Sequence, residues 1–212
     1  MTPWTPILFD MDGTLVDSAP AISRRLRETL EHFEVTPPDD AGIRLLIGPP
    51  TGSSLLTFVG EDRVEAANAF YKQLSHRDGL VDQALYPGVD RLLATLVEAN
   101  IPLGVSTSKP QNEAVQTAEH FGIAHYFTAL VGSNSTRTTK AAVVGETLLQ
   151  LQAIAHSPTP LMIGDRSFDI EGAAEHSVPT VLVRWGYAAP EEELAALAGV
   201  DTIDELLSFV LG

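Results

Sequence analysis

Ile7-Leu8-Phe9-Asp10-Met11-Asp12-Gly13-Thr14-Leu15-Val16-Asp17-Ser18 decides how this chain is read. A short apolar strand runs directly into two carboxylates one residue apart. An unpaired carboxylate leaving a hydrophobic core carries a large desolvation cost, and a divalent cation removes it. Side chains two apart on a strand point the same way, and past the last paired residue the chain can turn so that both acids converge on one ion. Gly13 allows that turn.

Working outward, four more runs of strand length read as buried strands: Ile101-Pro102-Leu103-Gly104-Val105-Ser106, Ala129-Leu130-Val131-Gly132, Leu161-Met162-Ile163-Gly164 and Thr180-Val181-Leu182-Val183. Helical stripes lie between them: Leu92, Leu93, Leu96 and Val97; then Val115, Ala118 and Phe121, stopped by Gly122; then Val144, Leu148 and Leu151. Alternation of this kind predicts an α/β fold, a Rossmann-like parallel sheet with helices on both faces.

The interval before Pro87-Gly88 breaks the rhythm and predicts an inserted helical module over residues 17–84, leaving 1–16 and 85–212 as the core. Ile22, Leu26, Leu30 and Phe33 form one helical stripe, opened by Asp17 or Ser18 as cap with Pro20 in the first turn. Val64, Ala67, Tyr71 and Leu74 form another, and Pro37-Pro38 and Gly48-Pro49-Pro50 break the chain between them. A module on two linkers can act as a lid.

The 212 residues contain no cysteine, which excludes a disulfide framework and thiol catalysis and fits a cytoplasmic protein. No secretory signal and no membrane-spanning run is legible. A formal charge of −15 argues against nucleic-acid binding. It does not exclude an anionic substrate, because the field inside a cleft is set by a metal ion and a few lysines.

Ligands of an open parallel sheet bind at the carboxyl ends of its strands. There the chain places Asp10 and Asp12, then Thr107, Ser108 and Lys109, then Lys140, then Asp165 and Asp169. Singly, each has a plain alternative: Thr107 or Ser108 as a helix cap, Lys140 as a solvated first-turn residue, Asp165 as a turn acid. Together they predict phosphoryl transfer. Asp10, Asp12 and Asp165 offer oxygen ligands to Mg²⁺. With no thiol available, an aspartyl-phosphate is the natural covalent intermediate. Asp12 is placed to protonate the leaving alkoxide and then activate water. Lys140 and the Thr107 hydroxyl, with Ser108 beside it, are the candidates to hold the phosphoryl oxygens.

Asp10-Met11-Asp12-Gly13-Thr14-Leu15-Val16-Asp17-Ser18, Ser106-Thr107-Ser108-Lys109, Lys140 and Gly164-Asp165-Arg166-Ser167-Phe168-Asp169 together resemble the four ordered motifs of the haloacid dehalogenase superfamily of phosphohydrolases. The inserted helices resemble the cap of its phosphoglycolate phosphatase-like branch. The resemblance implies Asp10 as nucleophile, Asp12 as general acid/base, and Thr107 and Lys140 on phosphate. It implies Mg²⁺ held by Asp10, the Asp12 carbonyl and Asp165, with Asp169 in the shell behind them or reaching the metal through water. The acid at Asp12 favours phosphate chemistry over carbon–halogen cleavage. Two departures stand out: Thr107-Ser108-Lys109 where similar sequences often have Thr-Asn-Lys, and Glu175-His176-Ser177 where they usually have a glycine.

The expected activity is hydrolysis of a small phosphorylated metabolite, most like that of a phosphoglycolate phosphatase. A 5'-nucleotidase, sugar phosphatase, pyrophosphatase or phosphomutase fits the same scaffold, and a non-catalytic phosphate-binding regulator is the alternative of another class. Arg44 and the Ile47-Gly48-Pro49-Pro50 turn are the candidates to face the substrate, Arg44 being equally readable as a solvated helix residue. Arg137 and Arg166 either add positive charge near the site or pair with acids elsewhere. The six histidines read as surface or packing residues, and Trp185 is placed to flank the cleft. Monomer and homodimer are both open.

Overall fold

The computed structural model describes residues 3–49, 51–152 and 159–212. Its chain divides into two compact units, one of Met1–Asp17 with Leu85–Gly212 and one of Ser18–Ala84.

The first unit is built on six strands: β1 (Ile7–Phe9), β4 (Leu103–Pro110), β5 (Ala129–Ser133), β6 (Leu161–Gly164), β7 (Thr180–Val183) and β8 (Ala198–Val200). They form one parallel sheet in the order β5-β4-β1-β6-β7-β8. Strands β2 (Val16–Asp17) and β3 (Ala84–Leu85) make a separate two-stranded sheet. The helices of this unit are α5 (Val89–Glu98), α6 (Gln111–His120), α7 (Lys140–Gln152), α8 (Ser167–Ala174) and α9 (Ile203–Leu211).

Strand periodicity sorts the sheet's side chains between two cores. Ile7, Phe9, Leu103, Val105, Ile163 and Val181 pack with α5, α6 and α9 through residues such as Leu92, Ala118 and Leu206. Leu8 and Met162, one position out of phase, pack with Val144, Leu148 and Leu151 of α7 and Ala173 of α8. Both faces are covered, which explains why the central strands read as continuous apolar runs rather than alternating ones.

Strand order runs outward from β1 in both directions, through β4 on one side and β6 on the other. That reversal opens a crevice at the carboxyl end of β1. Asp10 is the first residue beyond it.

Several expectations need correction. The sheet has a sixth strand, β8, where five were expected. Val97 is 42% exposed, and Val89 completes the buried stripe of α5 with Leu92, Leu93 and Leu96. On α6 the buried residues are Ala114, Thr117 and Ala118 rather than Val115. Helix α8 does end in a left-handed turn without a glycine: Ser177 takes φ 57°, and the Val178 N–H reaches back to the Ala173 carbonyl.

The second unit holds α1 (Ala19–His32), α2 (Asp40–Leu45), α3 (Thr51–Val59) and α4 (Glu61–Asp78). Leu26, Leu30, Ile43, Leu55, Val59, Ala67 and Tyr71 form its own core, with Ile22, Phe33 and Val64 packed at the edge. Ser18 occupies the cap position of α1 without a side-chain cap bond, and Pro20 lies in the first turn. Helices α2 and α3 fall in the stretch that the prolines and glycines made read as broken chain. Pro50, part of the turn singled out for substrate contact, lies outside the described residues. No helix among the described residues is long and apolar enough to cross a membrane.

Candidate active site

The loop after β1 is wound by one acceptor. The Met11 carbonyl takes the N–H groups of Leu15 and Val16, both at 2.9 Å, while the Gly13 N–H donates to the Val16 carbonyl at 2.8 Å. Gly13 stands at φ +88°, a left-handed conformation that a side chain opposes. Before the turn, the Asp10 N–H donates to the Ile163 carbonyl of β6 at 2.9 Å, so Asp10 keeps the sheet's register.

Three carboxylates converge at this edge. Asp10, Asp165 and Asp169 each offer an oxygen within 4.8 Å of the others. They are 7%, 0% and 1% exposed. Asp165, just past β6, accepts from the Thr14 hydroxyl at 3.1 Å and the Tyr187 N–H at 2.8 Å. Asp169, in the first turn of α8, accepts the N–H groups of Asp165 and Arg166 on one oxygen, both at 3.0 Å. Its other oxygen takes the Lys140 ammonium at 2.6 Å.

Lys140 opens α7, where the Thr139 hydroxyl caps the helix by accepting the Ala142 N–H at 3.1 Å. Its Nζ also lies 2.7 Å from Asp10 Oδ1. One ammonium therefore serves two carboxylates. Burial alone would lower its pKa, but Asp10 and Asp169 outweigh that and raise it, so it stays charged.

The carboxylates feel the opposite pressure. Burial first, with Asp169 and Asp12 adding to it against the pull of Lys140, raises Asp10 from 3.8 to about 6. Burial, then Asp169 and Asp10, pushes Asp165 well above its ordinary value. Three clustered acids facing one ammonium leave an excess of negative charge in a buried place, which an all-oxygen divalent cation site relieves. The donor set fits Mg²⁺.

That crowding makes stability depend on pH in an unusual direction. A carboxyl with a raised folded pKa holds its proton in the native state, so the stability it gives is full below the unfolded value and lost as pH rises through the folded one. Without metal, Asp10 loses its contribution as pH rises from the ordinary carboxylate range through about 6, and Asp165 acts in the same direction. In chelator, the thermal midpoint followed by circular dichroism is expected to fall from about pH 5 to about pH 7.5. Millimolar Mg²⁺ should raise it, and more at the higher pH, because the ion binds ionised carboxylates. A midpoint that climbs with pH in chelator would contradict this account of the cluster.

Asp12 does not join the cluster of three; both its oxygens face the Lys109 ammonium, at 2.7 and 2.9 Å. Thr107 is buried inside β4, which runs on to Pro110, and its Oγ1 accepts the Lys109 N–H at 3.2 Å. Ser108 is half-buried, its carbonyl accepting from the Ser133 hydroxyl at 2.8 Å. Arg137 bonds the Gly132 carbonyl and the Gln111 side chain, and the Arg166 guanidinium pairs with Glu192. Both guanidiniums thus pair with groups outside the carboxylate cluster, while the Arg166 backbone N–H serves Asp169. Trp185 donates its indole N–H to the Thr14 carbonyl at 3.1 Å, against the loop that carries Asp12. Arg44 is exposed on α2 of the helical unit. Sequence reasoning missed the grip of Lys109 on Asp12, and the only signal available was a lysine closing the same strand end as Thr107.

Comparison with known proteins places this geometry. A tyrosine-protein kinase, PtkA, from Mycobacterium tuberculosis is 35% identical over 94% of this chain and 70% of its own length. A 5'-nucleotidase from Pseudomonas aeruginosa is 35% identical over 90% of this chain and 86% of its own. A phosphoglycolate phosphatase from Rhodobacter capsulatus is 31% identical over 92% and 95% respectively. Among solved structures, a haloacid dehalogenase-like family hydrolase from Streptococcus pneumoniae superposes with a TM-score of 0.90 at 30% identity, covering 99% of both chains. The sequence model of the haloacid dehalogenase-like hydrolases matches residues 7–183, from the start of β1 to the end of β7 and across every residue of the carboxylate cluster. The chain belongs to the haloacid dehalogenase-like hydrolase family.

Proposed function

We propose that this protein is a Mg²⁺-dependent phosphatase that hydrolyses a small phosphomonoester through an aspartyl-phosphate on Asp10. The observation that carries the reading is the placement of Asp10 at the sheet's switch point, 2.7 Å from the Lys140 ammonium and grouped with Asp165 and Asp169. The 5'-nucleotidase and phosphoglycolate phosphatase relatives support it.

An Asp10 oxygen attacks phosphorus, and the bond from phosphorus to the ester oxygen breaks. Asp12, carrying the proton it takes from water in the second half of the preceding cycle, gives it to the leaving alkoxide. In the second half, water attacks the phosphoryl group, its proton passes to Asp12, and the bond to Asp10 breaks, releasing inorganic phosphate. Lys140 and Thr107 hold the phosphoryl oxygens. Thr107 Oγ1 already accepts from the Lys109 N–H, so its own hydroxyl proton is available to donate. Asp10, Asp165 and the Asp12 carbonyl would hold the cation, and Asp169, satisfied by two backbone N–H groups and Lys140, fixes the groups around it. When bound, Mg²⁺ neutralises the carboxylates and the charge developing on the phosphoryl oxygens.

We read the helical unit, with Arg44 exposed on it, as the cap that selects the ester. A second reading, transfer of the phosphoryl group to a protein hydroxyl, is favoured by the kinase relative.

The test is inorganic phosphate release from 2-phosphoglycolate, nucleoside monophosphates, sugar phosphates and pyrophosphate, with Mg²⁺ and with chelator. The expected result is Mg²⁺-dependent release with a strong preference for one ester. Loss of ester without free phosphate would favour transfer or isomerisation, and no reaction with any of them would favour a non-catalytic binder.

A further inference from the structure

Lys109 lies outside the carboxylate cluster, yet it is tied to an acid of the same sheet edge. Its ammonium takes both Asp12 oxygens, and the two side chains are 8% and 17% exposed. The contact joins the end of β4 to the loop after β1, 97 positions apart in sequence.

The backbone that aims Lys109 is held on several sides. β4 follows β5 in register as far as Ser106 and then slips before pairing again at Pro110. Within the irregularity, Thr107 Oγ1 accepts the Lys109 N–H, and the Ser133 hydroxyl anchors the Ser108 carbonyl. Position 132 admits only glycine, since a Cβ there would stand 2.6 Å from the Lys109 carbonyl oxygen and 2.8 Å from Gln111 Cα. Bulges of this kind re-aim a side chain beside a site. Fixing a long lysine side chain costs entropy, and withdrawing two charges from water costs desolvation that their attraction need not repay. The arrangement is therefore poorly explained by stability alone.

We propose that Lys109 is a positioning residue for Asp12: it holds that carboxylate apart from the Asp10, Asp165 and Asp169 group and in place for proton transfer. Without that ammonium, the Asp12 carboxylate would be free to turn out of line with the reacting oxygens. The inference rests on the reading of Asp12 as the acid/base.

The two half-reactions separate the possibilities. p-Nitrophenol leaves without needing a proton, so phosphorylation of Asp10 by p-nitrophenyl phosphate bypasses Asp12. Hydrolysis of the phosphoenzyme does not. Rapid-quench measurement on Lys109→Met is expected to give a first burst within about twofold of the parent rate and phosphoenzyme hydrolysis slowed about tenfold or more. The double variant Asp12→Asn/Lys109→Met should hydrolyse the phosphoenzyme no more slowly than Asp12→Asn alone, a non-additivity that a purely structural role would not produce. Circular dichroism verifies that each variant is folded. Equal slowing of both half-reactions would overturn the proposal in favour of direct phosphate binding, and additive losses or no loss would overturn it outright. If Asp12→Asn itself leaves phosphoenzyme hydrolysis unchanged, the acid/base reading of Asp12 falls first and Lys109 has nothing to position.

Discussion

Asp10→Asn is expected to lower kcat by on the order of 10⁴-fold or more while leaving the protein folded. The amide is nearly isosteric with the carboxylate but is a poor nucleophile. The residue's place is fixed by its own backbone, which donates to Ile163, so the exchange does not move the loop. One amide oxygen remains for the Lys140 ammonium, which now takes Asp10 Oδ1. Substrate binding should therefore survive, and no phosphoenzyme should be trapped. Retention of more than a few percent of turnover would remove Asp10 as the nucleophile. Stability supplies an independent readout. Asp10 is raised to about 6 chiefly by its burial, with Asp169 and Asp12 as crowding neighbours, so replacing it by a neutral group should flatten the fall of the melting midpoint with pH in chelator. Near neutral pH the variant should melt higher than the parent by roughly 2–4 °C for each kcal/mol recovered.

What could be read from the sequence follows from what each element depends on. β1, β6 and β7 were legible because both their faces are buried, which forces uninterrupted apolar runs. β8, Ala198–Val200, was not: it is a three-residue edge strand of Ala, Gly and Val with a single pairing partner, and nothing in that composition favours a strand. Helices α2 and α3 were hidden by the prolines and glycines around them, because local breakers mark turns without showing how much helix lies between. The left-handed turn after α8 was legible only as a missing glycine; Ser177 takes the strain instead.

The sheet edge that carries the candidate site was legible from the strand ends alone. The parallel-sheet rule places Asp10, Asp12, Thr107, Ser108, Lys109, Lys140, Asp165 and Asp169 at one edge, and the geometry groups Asp10, Asp165 and Asp169 while leaving Asp12 on Lys109. It gives no such signal for side-chain pairings made across long sequence separations. Lys140 bridging Asp10 to Asp169, and Lys109 closing on Asp12, depend on where loops land rather than on local pattern. Arg166 shows the same limit, since its acid partner Glu192 comes from a segment with no periodic signature.

Gly13→Ala is expected to damage both the fold and the site. The sequence marks Gly13 as a turn residue, and its φ of +88° already costs an L-residue about 1–2 kcal/mol. The structure adds a second demand. A Cβ at this position would stand 2.2 Å from Asp165 Oδ2 and 2.5 Å from its Cγ. Asp165 has little room to yield: it is fully buried and held by the Thr14 hydroxyl and the Tyr187 N–H. Overpacking of this kind costs a further ~1–3 kcal/mol, for a total of about 2–5 kcal/mol. Gly122→Ala separates the two contributions, because Gly122 has φ +71° and nothing within 4 Å of its added Cβ. That control should lose only the backbone part and keep full activity. Gly13→Ala should melt lower than the control, lose most of its turnover and lose the rise in melting midpoint that Mg²⁺ gives the parent, because the carboxylate displaced is one of those that would hold the ion. If the two variants melt alike and Gly13→Ala keeps its response to Mg²⁺, Asp165 is not held against this turn, and its place in the cation site would have to be withdrawn.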